Sequence, residues 1–68
     1  MSDYNVGDVI TYSPNGGGMR TVKVMHKEAD VKNGEPGFDG TLIDGHPDDI
    51  GLSVWGYDRQ ILIVQRAR

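Results

Sequence analysis

Val54-Trp55-Gly56-Tyr57-Asp58-Arg59-Gln60-Ile61-Leu62-Ile63-Val64 is the stretch that decides the fold. Its second residue is the only tryptophan of the chain, separated by one glycine from a tyrosine. It ends on a run of four aliphatic residues, three of them β-branched. β-branched and aromatic residues favour extended backbone. Gly56-Tyr57-Asp58-Arg59-Gln60 between the two runs reads as a tight corner with one 3-10 turn. Two strands meeting at an aromatic corner are how a small β-barrel closes.

Working outward, the same grammar holds. The 68 residues include ten glycines and three prolines. No window of a dozen residues carries apolar positions at helical spacing without one of them inside it. Short alternating runs separated by turn residues predict an all-β chain instead. The expected strands are Val9–Tyr12, Arg20–Lys27, Phe38–Asp44, Ile50–Trp55 and Ile61–Arg66. Ser13-Pro14-Asn15-Gly16-Gly17-Gly18 separates the first two. Glu28 to Gly37 reads either as a long loop or as an extended hairpin with Asn33-Gly34 at its tip, since Asn-Gly is the strongest short hairpin signal. Gly45-His46-Pro47-Asp48-Asp49 is the next turn. Alternation assigns Val6, Ile10, Tyr12, Val22, Val24, Leu42, Leu52, Val54, Ile61 and Ile63 to the core, and puts His26 at its rim.

The expected architecture is one small β-barrel domain over residues 1–68, either a five-stranded SH3-like barrel or a strongly bent antiparallel sheet, with a short 3-10 turn before the last strand. Three features resemble the KOW- and Tudor-type members of the SH3-like barrels. They are the opening Val6-Gly7-Asp8-Val9-Ile10, the glycine-rich first loop leading into Thr21-Val22-Lys23-Val24, and the corner before the final strand. The resemblance implies binding of peptides, modified side chains or nucleic acids rather than catalysis. An OB-like barrel needs a helix between its third and fourth strands, and Asp44 to Ile50 is too short for one.

Composition narrows the chemistry. There is no cysteine, so neither disulfides nor thiolate metal sites contribute. The formal net charge of −3 argues against broad phosphate binding, which needs clustered Lys and Arg. Charge is uneven, however. Lys32 is the one base between Val31 and Asp58, against six acids, whereas Arg59, Arg66 and Arg68 stand without an acid in the last ten residues. No apolar run approaches the ~18 residues of a membrane span. Met1–Asn5 lacks the basic and apolar segments of a secretory signal, so the expectation is a cytoplasmic protein without a membrane partner.

Candidate sites are weighed against plainer uses of the same residues. His46 with Asp44, Asp48 and Asp49 has hard-metal donor chemistry, but Asp, Gly, His and Pro together are ordinary turn residues, and neither metal nor cofactor is expected. Ser2, Ser13 and Ser53 lie in no strand-turn-helix elbow, so the chain is not expected to be an enzyme. Asn15-Gly16-Gly17-Gly18 is followed by neither a Lys-Ser/Thr pair nor a helix and is not a phosphate loop. The remaining set is aromatic. Trp55, Tyr57 and Phe38, with Asp58 to hold a cation, form the expected partner-binding residues, although Tyr12 and Phe38 suit a core equally well. If Val54 faces inward, Trp55 faces out. The expected role is a non-catalytic module that binds a protein or peptide. Two alternatives stand beside it. One is a nucleic-acid groove built on Lys23, Lys27, Arg59 and Arg66, which requires the second and last strands to be neighbours. The other is a homodimer through Ile61–Val64.

Overall fold

The computed structural model describes residues 4–66; of the residues singled out above, Met1, Ser2, Asp3 and Arg68 fall outside that range. The chain is all-β. Its strands are β1 (Val9–Tyr12), β2 (Arg20–Lys32), β3 (Glu35–Asp44), β4 (Ser53–Tyr57) and β5 (Ile61–Gln65). One antiparallel sheet contains all five, in the order β4-β3-β2-β1-β5. Two 3-10 turns, Pro47–Asp49 and Asp58–Gln60, punctuate it, the second immediately before β5 as the corner residues predict.

Glu28 to Gly37 is a hairpin and not a loop. Lys32 pairs with Glu35 across Asn33-Gly34, and both tip residues have positive φ, 58° and 77°. That is the primed turn whose twist matches flanking antiparallel strands, and Asn-Gly adopts it at least cost. β2 and β3 therefore extend well beyond the alternating core pattern that defined them in the sequence.

The core is a row of aromatic rings flanked by aliphatics. Tyr4, Ile10, Tyr12, Val22, Val24, Phe38 and Leu42 are fully buried, with Val54, Ile61 and Val64 packed against them. The Phe38 ring lies edge to face with both Tyr12 (5.0 Å between centroids) and Tyr4 (6.0 Å). Such pairs add about 0.5–1.5 kcal/mol each beyond the area they bury. Two glycines permit the tight sheet curvature. A Cβ on Gly40 would stand 2.1 Å from the Lys23 carbonyl oxygen, and one on Gly56 would stand 2.8 Å from both Phe38 and Tyr12.

Three expected core residues are not core. Val6 precedes β1 and is exposed. Leu52 is exposed because β4 starts at Ser53; the preceding residues turn instead, with Gly51 and Leu52 paired by backbone to Leu42. Ile63 is 52% exposed because the β1–β5 register shifts between Thr11 and Tyr12, which leaves Leu62 unpaired as an extra residue. A bulge of this kind reverses the alternation. Ile61 and Val64 consequently point inward, and Leu62 and Ile63 point out together. A similar shift at Met25 breaks the β2 pattern. Val24 faces the core opposite Gly40, whereas His26 lies opposite Asp39 and is exposed. Tyr4 entered the core without any local signal. Its hydroxyl proton is shared between the Asp58 carboxylate and the Gly37 carbonyl (3.1 Å), which ties the N-terminal segment to the corner before β5.

Candidate functional site

The Trp55-Gly56-Tyr57 segment of β4 has two unlike faces. Val54 and Gly56 lie opposite Gly40 and Phe38 on the core side. Trp55 and Tyr57, two residues apart, therefore share the other side, and their rings meet edge to face at 5.4 Å. Trp55 points away from the core and is 47% exposed. Tyr57 faces the same way but is only 6% exposed, covered by Trp55 and by Arg59, whose guanidinium lies 4.6 Å from its ring centre.

A cleft of about 220 Å³ opens beside this segment. Trp55, Gly56 and Tyr57 supply one wall. Pro14 and Asn15 of the β1–β2 loop, Arg20 at the start of β2 and Gln60 of the 3-10 turn supply the other. Hydrogen bonds fix the polar rim. The Tyr57 backbone N–H donates to Gln60 Oε1 (3.1 Å), and Gln60 Nε2 donates to Asn15 Oδ1 (2.8 Å). The floor is held from below by the Tyr12 hydroxyl, which donates to the Trp55 carbonyl (3.3 Å). Ser13 N–H donates to the Gln60 carbonyl (3.1 Å), so the loop and the 3-10 turn are tied by backbone as well.

The expected site residues do not gather as one group. Trp55 and Tyr57 stand together. Phe38 lies on the opposite side of the sheet, at the centre of the core. Asp58 is occupied by the Tyr4 hydroxyl. Trp55 and Tyr57 therefore form no cage with the buried Tyr12 and Phe38, and their rings already have cations of their own: Lys32 Nζ lies 5.7 Å from the Trp55 ring, and Arg59 Cζ lies 4.6 Å from the Tyr57 ring centre.

The basic residues are likewise dispersed. β1 lies between β2 and β5, so the strands that would carry a continuous basic stripe are not neighbours. Lys23 pairs with Thr41 on the outer face, whereas Lys27 pairs with Phe38, on the opposite side, because the bulge at Met25 intervenes. Lys27 Nζ donates to the Tyr4 carbonyl (2.7 Å) and sits over its ring. Arg59 Nε donates to Glu35 Oε1 (3.0 Å). Arg66 is exposed just beyond β5. His46 performs the turn role: its Nδ1 accepts the Asp48 N–H (3.2 Å) at the start of the 3-10 turn. Among the described residues no group of three or more His, Asp and Glu is placed to hold a metal ion, and no helix is long and apolar enough to cross a membrane.

Sequence reasoning missed the second wall of the cleft. Asn15 and Gln60 are 45 positions apart, and neither carries a local signal for the other. Arg20 also lies beside the aromatic segment, although nothing local in the sequence sets it apart from the other basic residues. Comparisons with known protein families, with characterised proteins and with solved structures give no match to this chain.

Proposed function

We propose that the domain is a non-catalytic binding module that captures a peptide segment of a partner protein in the cleft beside Trp55. The observation that supports it is the exposed Trp55, aimed away from the core at the mouth of a cleft whose rim is already fixed by hydrogen bonds. A preformed rim loses little freedom on binding, and tryptophan and tyrosine are the residues most often found to carry binding energy at interfaces. The test is selection of displayed random peptides on the full chain, followed by titration with Trp55→Phe and Trp55→Ala. Trp55 lies outside the buried cluster, so Trp55→Ala loses the covered half of the indole and about 0.5–1.5 kcal/mol of edge-to-face contact with Tyr57, and Trp55→Phe, which keeps a ring there, controls for any loss of folding. Peptides selected on the native chain are expected to bind Trp55→Ala at least about tenfold more weakly, a loss of roughly 1.4 kcal/mol. Equal binding to both chains removes the cleft as the docking site.

A second reading rests on β5. It is an edge strand, and Leu62 (57% exposed) and Ile63 both point outward along it. An unpaired apolar edge is a template for pairing with a second copy. Sedimentation of the native chain beside Ile63→Lys tests this: a dimer lost in the variant supports the reading, and a monomer at millimolar concentration refutes it.

A further inference from the structure

The polar atoms of the cleft are sorted by kind. The Tyr57 N–H orients the Gln60 carboxamide, since only its oxygen can accept that proton. The Gln60 amino group must therefore face outward, and it donates one hydrogen to Asn15 Oδ1. That bond in turn engages the Asn15 oxygen, and among the described residues the Asn15 amino group makes no hydrogen bond. Each carboxamide oxygen thus already accepts one bond, while both amino groups keep hydrogens to donate. Beside them stands Arg20. Its side chain is only half-buried, and among the described residues its guanidinium makes no ion pair, hydrogen bond or ring contact. Among the described residues no carboxylate lines the cleft. In a chain of net charge −3, this is a local concentration of donors with one uncommitted cation.

Such a site is complementary to an acceptor that carries negative charge. A guanidinium offers a fork of N–H groups matched to a carboxylate, and charge-assisted bonds of this type are the strong ones. We infer that the cleft selects an acidic peptide: an Asp or Glu side chain of the bound segment pairs with Arg20 and the Asn15 amino group, while a neighbouring apolar residue rests on the Trp55 wall. This rests on the peptide-binding reading above and adds the chemistry of the occupant. It also reverses the cation-binding role that the aromatic residues suggest when read alone, because Lys32 and Arg59 already stand over those rings.

The experiment uses a displayed library of random dodecapeptides selected on the full native chain. The best binder is then synthesised with each Asp or Glu present and, separately, with each replaced by Asn or Gln. Binding to the native chain, Arg20→Lys and Arg20→Gln is read by the fluorescence of Trp55, the only tryptophan. Expected are one fixed acidic position among the selected peptides and a loss of about tenfold in affinity for its neutral counterpart. Arg20→Gln should bind the acidic and neutral forms alike, with Arg20→Lys intermediate. Selected peptides without an acidic preference, or an acidic preference that survives in Arg20→Gln, overturn this inference and leave the peptide-binding reading standing. Tighter binding of a phosphoserine version than of the Asp or Glu form by Arg20 overturns the carboxylate assignment. Enrichment of no peptide at all removes both.

Discussion

Gly56 carries the sheet curvature and one wall of the cleft at the same point, so Gly56→Ala is the sharpest test of the packing. A Cβ there would lie 2.8 Å from Phe38 Cζ and 2.8 Å from Tyr12 Cε2. Carbon atoms rest at about 3.5–4.0 Å, so β4 and the rings must part by about 1 Å. Both rings are fully buried and already locked edge to face, with no flexible end to swing away. Overpacking of this kind costs about 1–3 kcal/mol. Separation also stretches the Tyr12 hydroxyl bond to the Trp55 carbonyl, already 3.3 Å long, whose net worth is about 0.5–1.5 kcal/mol. Alanine returns about 0.4–1 kcal/mol by restricting the unfolded chain. The balance is a loss of about 1–3 kcal/mol from a domain whose whole margin is about 3–5 kcal/mol. At roughly 4–8 °C per kcal/mol the melting temperature should fall by about 5–20 °C. Thermal unfolding followed by far-ultraviolet circular dichroism reads this directly. Gly16→Ala is the control, since nothing lies within 4 Å of its Cβ position and its φ is outside the left-handed region. A Gly56→Ala protein that melts at or above the native temperature would refute the placement of β4 against Tyr12 and Phe38.

Two further outcomes follow from the same contacts. At the hairpin tip, Gly34→Ala forces a side chain into φ 77° and should lower the urea midpoint by an amount equivalent to about 1 kcal/mol, whereas Asn33→Gly, at φ 58°, should change it by only a few tenths; equal effects would mean that the turn is not of the primed type. The Tyr4 hydroxyl is raised well above its ordinary value near 10, first by burial, then by the hydrogen bond to Asp58 and by the charge of that carboxylate. The folded state thus keeps a proton that the unfolded state releases, so this contribution is complete below about pH 10 and is lost as pH climbs above it. Melting temperatures measured from pH 8 to 11.5 should decline more steeply for the native chain than for Tyr4→Phe above pH 10; parallel curves would contradict the buried hydroxyl.

What the sequence determined by itself is local. Ten glycines, three prolines and the absence of any uninterrupted helical period decided the all-β class. Asn33-Gly34 marked the tip of a hairpin as one of two readings of Glu28 to Gly37, and the corner at Asp58–Gln60 decided the turn before the last strand, because each depends on backbone preferences within a few residues. The outward direction of Trp55 followed from Val54 by alternation, since no bulge intervenes between them. What the tertiary structure decided is wherever that alternation is interrupted or where distant segments meet. The bulges at Met25 and Leu62 turn His26 and Ile63 out of the core and put Lys23 and Lys27 on opposite faces. A bulge is a property of two paired strands, so one strand's sequence does not display it. Tyr4, Asp58 and Gly37 meet across 33 and 54 positions, and Asn15 meets Gln60 across 45. The donor-rich cleft exists only once the sheet has bent enough to bring the first loop, the start of β2 and the last corner to one end, which is a consequence of non-local pairing and close glycine packing.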